Sequence, residues 1–171
     1  MKPALLLFGF VMLLMPDAAV YAQNKPLSIG DSVPGFTLKD ENDSVFNIEK
    51  YHGSKKVVIY FYPHDARLET VKWLCAFRDN MVGFKKAGAV VIAINNGTVE
   101  EHKNLYNKNK INFPLLSDPD KKVMNMFGFK GGLFSGQATY IMDESGQILF
   151  FLDRGSDHAQ KALEYLRAAK R

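Results

Sequence analysis

Two uninterrupted apolar runs limit what this chain can fold into. "VVIYFY" occupies residues 57–62 and "AVVIAIN" residues 89–95. Both are rich in β-branched and aromatic side chains, the pattern of strands covered on both faces. Between them Leu74, Phe77, Met81 and Phe84 recur at spacings of three and four. That spacing predicts one helix over 70–87, with Gly88 placed to end it. Buried strand, helix and buried strand make a βαβ unit, which requires the two strands to run parallel.

The flanking segments extend the same architecture. Residues 36–38 and 45–48 alternate apolar and polar around "DEND", which predicts a hairpin. "TVEEHKNLYNKN" (98–109) reads as a helix, with Thr98 and Glu101 in a capping-box pattern. "FPLLSD" (113–118) reads as leading into a turn, and 120–128 as a short helix stopped by Gly128. "ATYIMD" (138–143) and "QILFFLD" (147–153) flank "ESG", an antiparallel pair. A last helix over 157–169 is expected to bury Ala162, Leu163, Leu166 and Ala169. The order predicts an α/β fold: a central mixed β-sheet flanked by helices, the thioredoxin-like arrangement.

With 171 residues the chain suits one domain with a substantial core. Its net charge of +4 is mild, and its lysines are dispersed, so the dense basic stripe of a nucleic-acid binder is missing. The N-terminus carries more information. Lys2 is followed by an uncharged apolar run, Ala4–Met15, then by Pro16, Asp17 and "AAVYAQ". Val20 and Ala22 stand where a signal peptidase expects small residues, so residues 1–22 are expected to be a signal peptide and 23–171 the domain. The run would span about 18 Å as a helix, short of the roughly 30 Å of a bilayer core. The mature protein is therefore expected to be periplasmic or secreted, with no membrane contact after cleavage.

An exported protein meets an oxidising compartment, yet Cys75 is the one cysteine of the sequence and cannot close an internal disulfide. It is a buried apolar residue, a free thiol or a partner for another molecule. His52, His64, His102 and His158 show no metal-ligand spacing, and no cofactor or metal is expected. "GFKGGLFSGQ" (128–137) lacks the strand–loop–helix setting of a phosphate loop.

Five ordered blocks carry a family resemblance: "IGDSVPGFTLKDEND", "VVIYFYP" with "CAFRD" after it, "VVIAINNGTVEEHKNL", "FPLLSDPDKKVMNMFG" and "ATYIMDESGQI". Together they resemble the peroxiredoxins of the AhpC/TSA type, specifically the bacterioferritin comigratory, or Q-type, branch. The resemblance covers nearly all of residues 23–171. It implies thioredoxin-dependent reduction of peroxides, with a thioredoxin-like reductant and a peroxide as partners, and it admits a homodimer. In such proteins a thiolate in the first turn of a helix attacks the O–O bond and becomes a sulfenic acid, which a second thiol resolves. The helix N-terminus and an arginine lower the thiol pKa.

Laid on the family's P-x-x-x-T-x-x-C pattern, this sequence departs at the chemistry. Pro63 keeps the proline. Arg67 stands at the threonine position and Thr70 at the attacking cysteine. Cys75 falls on the resolving position of many Q-type members, and Gln137 stands at the family's later arginine. Thr70 has no redox cycle, so an N-cap or first-turn hydrogen bond is its expected role. Arg67 is either an anion-attracting charge or solvated surface. Two readings follow: a peroxidase working through Cys75 alone, or a peroxiredoxin fold that lost its catalytic thiol and serves in binding. A third gives Cys75 a role in passing disulfides.

Overall fold

The computed structural model describes residues 27–63, 68–128 and 137–169. The expected signal peptide, the turn residues His64, Asp65 and Arg67, and most of the glycine-rich stretch lie outside them. Seven strands form one mixed sheet: β1 (Thr37–Lys39), β2 (Val45–Asn47), β3 (Lys56–Phe61), β4 (Ala89–Asn95), β5 (Leu115–Ser117), β6 (Ala138–Met142) and β7 (Ile148–Asp153). Their spatial order is β2-β1-β5-β4-β3-β6-β7. Parallel pairing joins β3 to β4, from Lys56↔Ala89 to Phe61↔Ile94, and β4 to β5. The β1–β2 hairpin and the β6–β7 pair are antiparallel, as their turn signals predicted.

Strand alternation divides the core in two. Val58 and Tyr60 of β3, and Tyr62 just beyond it, face one side, where they meet α1 (Leu68–Asp79), α2 (Met81–Lys86) and α5 (His158–Ala168) through Leu74, Phe77, Phe84 and Leu163. Val57, Ile59 and Phe61 face the other, against Phe36, Tyr140, Phe127 and Val123 of α4 (Lys122–Met126). All six of these residues are buried, which is why the run carries no charged side chain. The remaining helix, α3 (Val99–Asn109), has the expected capping box: Glu101 N–H donates to Thr98 Oγ1, and Thr98 N–H donates to Glu101 Oε2.

The fold corrects the sequence reading in several places. The single helix over 70–87 is two helices that break at Asn80 (φ −94, ψ 4). There Asn80 Nδ2 donates to the Ala76 carbonyl at 2.9 Å, so a side chain takes a carbonyl of the helical ladder. The "FPLLSD" stretch contributes β5, a strand too short for periodicity to reveal, recognisable only because β4 and β1 pair on either side of it. Residues 48–51 turn into a 3-10 helix, begun when Asn47 Oδ1 accepts from Glu49 N–H. Ala169, expected in the core, is exposed beyond the end of α5.

Candidate functional site

The parallel strands β5, β4 and β3 end side by side, and open α/β sheets bind ligands at such carboxyl ends. Pro63 follows β3 here, half-buried, and its carbonyl accepts from Asn95 Nδ2 at the end of β4 (3.4 Å). Asn95 Oδ1 accepts from Gly97 N–H at 2.7 Å and lies 2.6 Å from His102 Nε2. His102 Nδ1 in turn lies 3.1 Å from Ser117 Oγ on β5. Because Asn95 Oδ1 already accepts from Gly97, His102 Nε2 is the donor in this chain. All three side chains are buried, so the network ties the proline turn to β4, β5 and α3. A methyl at Gly97 would lie 2.9 Å from Asn95 Oδ1 and 3.0 Å from His102 Nε2, which explains a glycine there.

Helix α1 opens two residues before Thr70, so Thr70 is a first-turn residue and not the N-cap. Thr70, Leu74 and Phe77 form the buried face of α1, with Thr70 only 2% exposed. Cys75 is the eighth residue of the helix and half-buried. Five residues of helix separate Thr70 and Cys75 by about 140° of rotation and put their Cα atoms about 8.7 Å apart. That exceeds the roughly 7 Å a disulfide can bridge, so these positions share no covalent reach while α1 is intact. Cys75 also lies two turns from the positive end of the helix, beyond the reach of its dipole. Arg78, three residues on, donates to Asp79 Oδ1 (2.8 Å) and to the Asn109 carbonyl (2.5 Å).

Gln137 directly precedes β6 and is buried. Tyr60 Oη donates to its Oε1 (3.2 Å), and its Nε2 donates to the Gly155 carbonyl (2.6 Å). Tyr60 packs at 4.7 Å between ring centroids against Phe77 of α1, so the fold does bring the Gln137 position beneath that helix. What arrives is a neutral amide with both ends bonded, in a pocket where burial pushes the Tyr60 phenol far above its ordinary pKa. Gln137 itself brings no positive charge to this place. Among the described residues no cluster of histidine, cysteine and acidic side chains could hold a metal.

Sequence reasoning found no metal-ligand spacing among the histidines and gave them no role, and the structure assigns two of them a place in the core. His102 and His158 are buried, His158 with Nδ1 2.9 Å from Thr139 Oγ1 and its ring 5.5 Å from Tyr60. A polar residue closing an apolar strand, as Asn95 closes β4, was the available signal, because a buried amide demands partners.

The model of the AhpC/TSA family matches residues 29–151. The chain belongs to the AhpC/TSA family. Within it, the chain is similar to the chloroplastic peroxiredoxin Q of Sedum lineare, 37% identical over 147 residues, covering 82% of this chain and 78% of that protein. The rice (Oryza sativa subsp. japonica) peroxiredoxin Q is 39% identical over 127 residues, 72% of this chain but 58% of the longer plant protein. Among solved structures, the peroxidoxin BcpB of Mycobacterium tuberculosis superposes with a TM-score of 0.76 at 30% identity, covering 82% of this chain and 96% of that one. The Q-type branch and the thioredoxin-like sheet expected from the sequence are both confirmed.

Proposed function

We propose that this protein is a Q-type member of the AhpC/TSA family that has lost thiol peroxidase turnover and works as an exported binding protein on the retained fold. The family suggests thioredoxin-dependent reduction of peroxides. That reaction needs a sulfur that takes oxygen from the peroxide, yielding a sulfenic acid and releasing water or an alcohol. A threonine hydroxyl neither ionises near neutral pH nor accepts that oxygen. The observation carrying the proposal is the placement of Thr70, buried in the first turn of α1. The bonded amide of Gln137 supports it, because the resemblance assigns that position to the family's arginine and an amide carries no charge.

A second reading rests on the partial exposure of Cys75: a slower one-cysteine peroxidase whose sulfenic acid is reduced by an external thiol. Peroxide consumption with a thioredoxin system separates the two, measured for the purified protein beside Cys75→Ser. Our proposal expects the rate of the protein-free control in both. Turnover that Cys75→Ser abolishes would overturn it. Export is tested separately, by the N-terminal residue of the protein recovered from the producing cell, expected to be Gln23.

A further inference from the structure

The opposite end of the sheet, where β3 and β4 begin, holds a cavity of about 510 Å³. That volume lies within the range of small-molecule sites. Its wall is apolar, with buried Met81, Val91 and Phe113. Its rim carries Tyr51, Lys55 and Lys85. No carboxylate lines it, and among the described residues neither lysine has an ion-pair partner. The larger groove beside α4 is different. It is lined by Lys39 and Lys122, which are held by Asp43 (2.7 Å) and Asp120 (3.2 Å).

Two further features keep this cavity receptive. Gly88 on its edge has φ +77, and a side chain there would point into open space, so the glycine required by the backbone also leaves the mouth clear. Partial burial raises the Tyr51 pKa, so its phenol stays a neutral hydrogen-bond donor at physiological pH.

We infer that this cavity binds an amphipathic organic anion: a carboxylate held by Lys55 and Lys85, on an apolar body lying against Met81, Val91 and Phe113. A flat aromatic body fits best, because methionine sulfur and a phenylalanine ring both favour aromatic contact. The site is independent of the fate of Thr70. Its lip touches the functional half of the molecule through Asn112, whose Nδ2 donates to the Arg78 carbonyl of α1 (3.3 Å).

Hydrocinnamate is a suitable probe, with hydrocinnamide as its uncharged counterpart and inorganic phosphate as an anion without an apolar body. Titration of isotope-labelled protein by NMR should give saturable shifts at the amides of Gly88, Val90, Val91 and Asn112 with hydrocinnamate. The amide, and the double variant Lys55→Gln/Lys85→Gln, should bind about tenfold more weakly, the loss expected for charge-assisted contacts. Both lysines are exposed, so the variant should fold as the native protein does, and Lys55→Arg/Lys85→Arg should keep binding. Unchanged affinity in the glutamine variant, equal shifts with phosphate, or no saturable shift at these amides would each overturn the inference.

Discussion

His158 should make this protein acid-sensitive in a window where its carboxylates are still ionised. The residue is 1% exposed and bonded through Nδ1 to Thr139, and its Nε2 has no partner among the described residues. Burial, reinforced by Lys161 and only partly opposed by Asp153 and Asp157, lowers its pKa from 6.5 to about 4. Above the unfolded value both states hold a neutral ring, and His158 adds no pH dependence. As pH falls below it, the unfolded chain takes up a proton that the folded one refuses, so stability drains away until the folded pKa is reached. The gap corresponds to a ceiling of about 3 kcal/mol, of which about 2 kcal/mol is lost by pH 5. Urea unfolding of the native protein and of His158→Gln, from pH 7 to pH 5, isolates the effect, since every other titration is common to both. The native curve should fall toward that of the variant by about 2 kcal/mol. A constant difference between the curves, or an NMR-measured His158 pKa at or above the ordinary value, would refute the reasoning.

Other substitutions test the packing and the site. Tyr62→Phe removes a buried hydroxyl that has no hydrogen-bond partner among the described residues, and should raise unfolding free energy by about 1 kcal/mol in urea titrations. Phe77→Ala empties the contact between α1 and Tyr60 and should cost about 3–5 kcal/mol by the same measurement. Gly97→Ala forces a methyl against Asn95 and His102; a loss of about 1–3 kcal/mol is expected, with the largest NMR shifts at Pro63-flanking and α3 amides. Thr98→Ala breaks the capping box of α3 at a cost of about 1 kcal/mol, read as a lower thermal midpoint. In Thr70→Cys, quantitative thiol titration of the native protein should find both thiols free until α1 opens, because helix geometry holds the two positions beyond disulfide reach.

Local physics was legible from the sequence wherever one segment contains its own signal. The unbroken apolar, β-branched runs of β3 and β4 read as strands covered on both faces, which implies helices on each side of a parallel pair. The capping box, the stop at Gly88 and the two hairpins are likewise written in a few adjacent residues. So is the hydroxyl at Thr70, the position to which the family resemblance assigns the attacking cysteine. Tertiary structure alone decided what depends on partners distant in sequence. Three residues of β5 become a strand because β4 and β1 hold them on either side. His102 is a structural bridge because the chain returns Asn95 and Ser117 to it, and His158 is kept neutral because Thr139 and Tyr60 enclose it. Burial and hydrogen-bond satisfaction are properties of surroundings, and no single segment of sequence contains its surroundings.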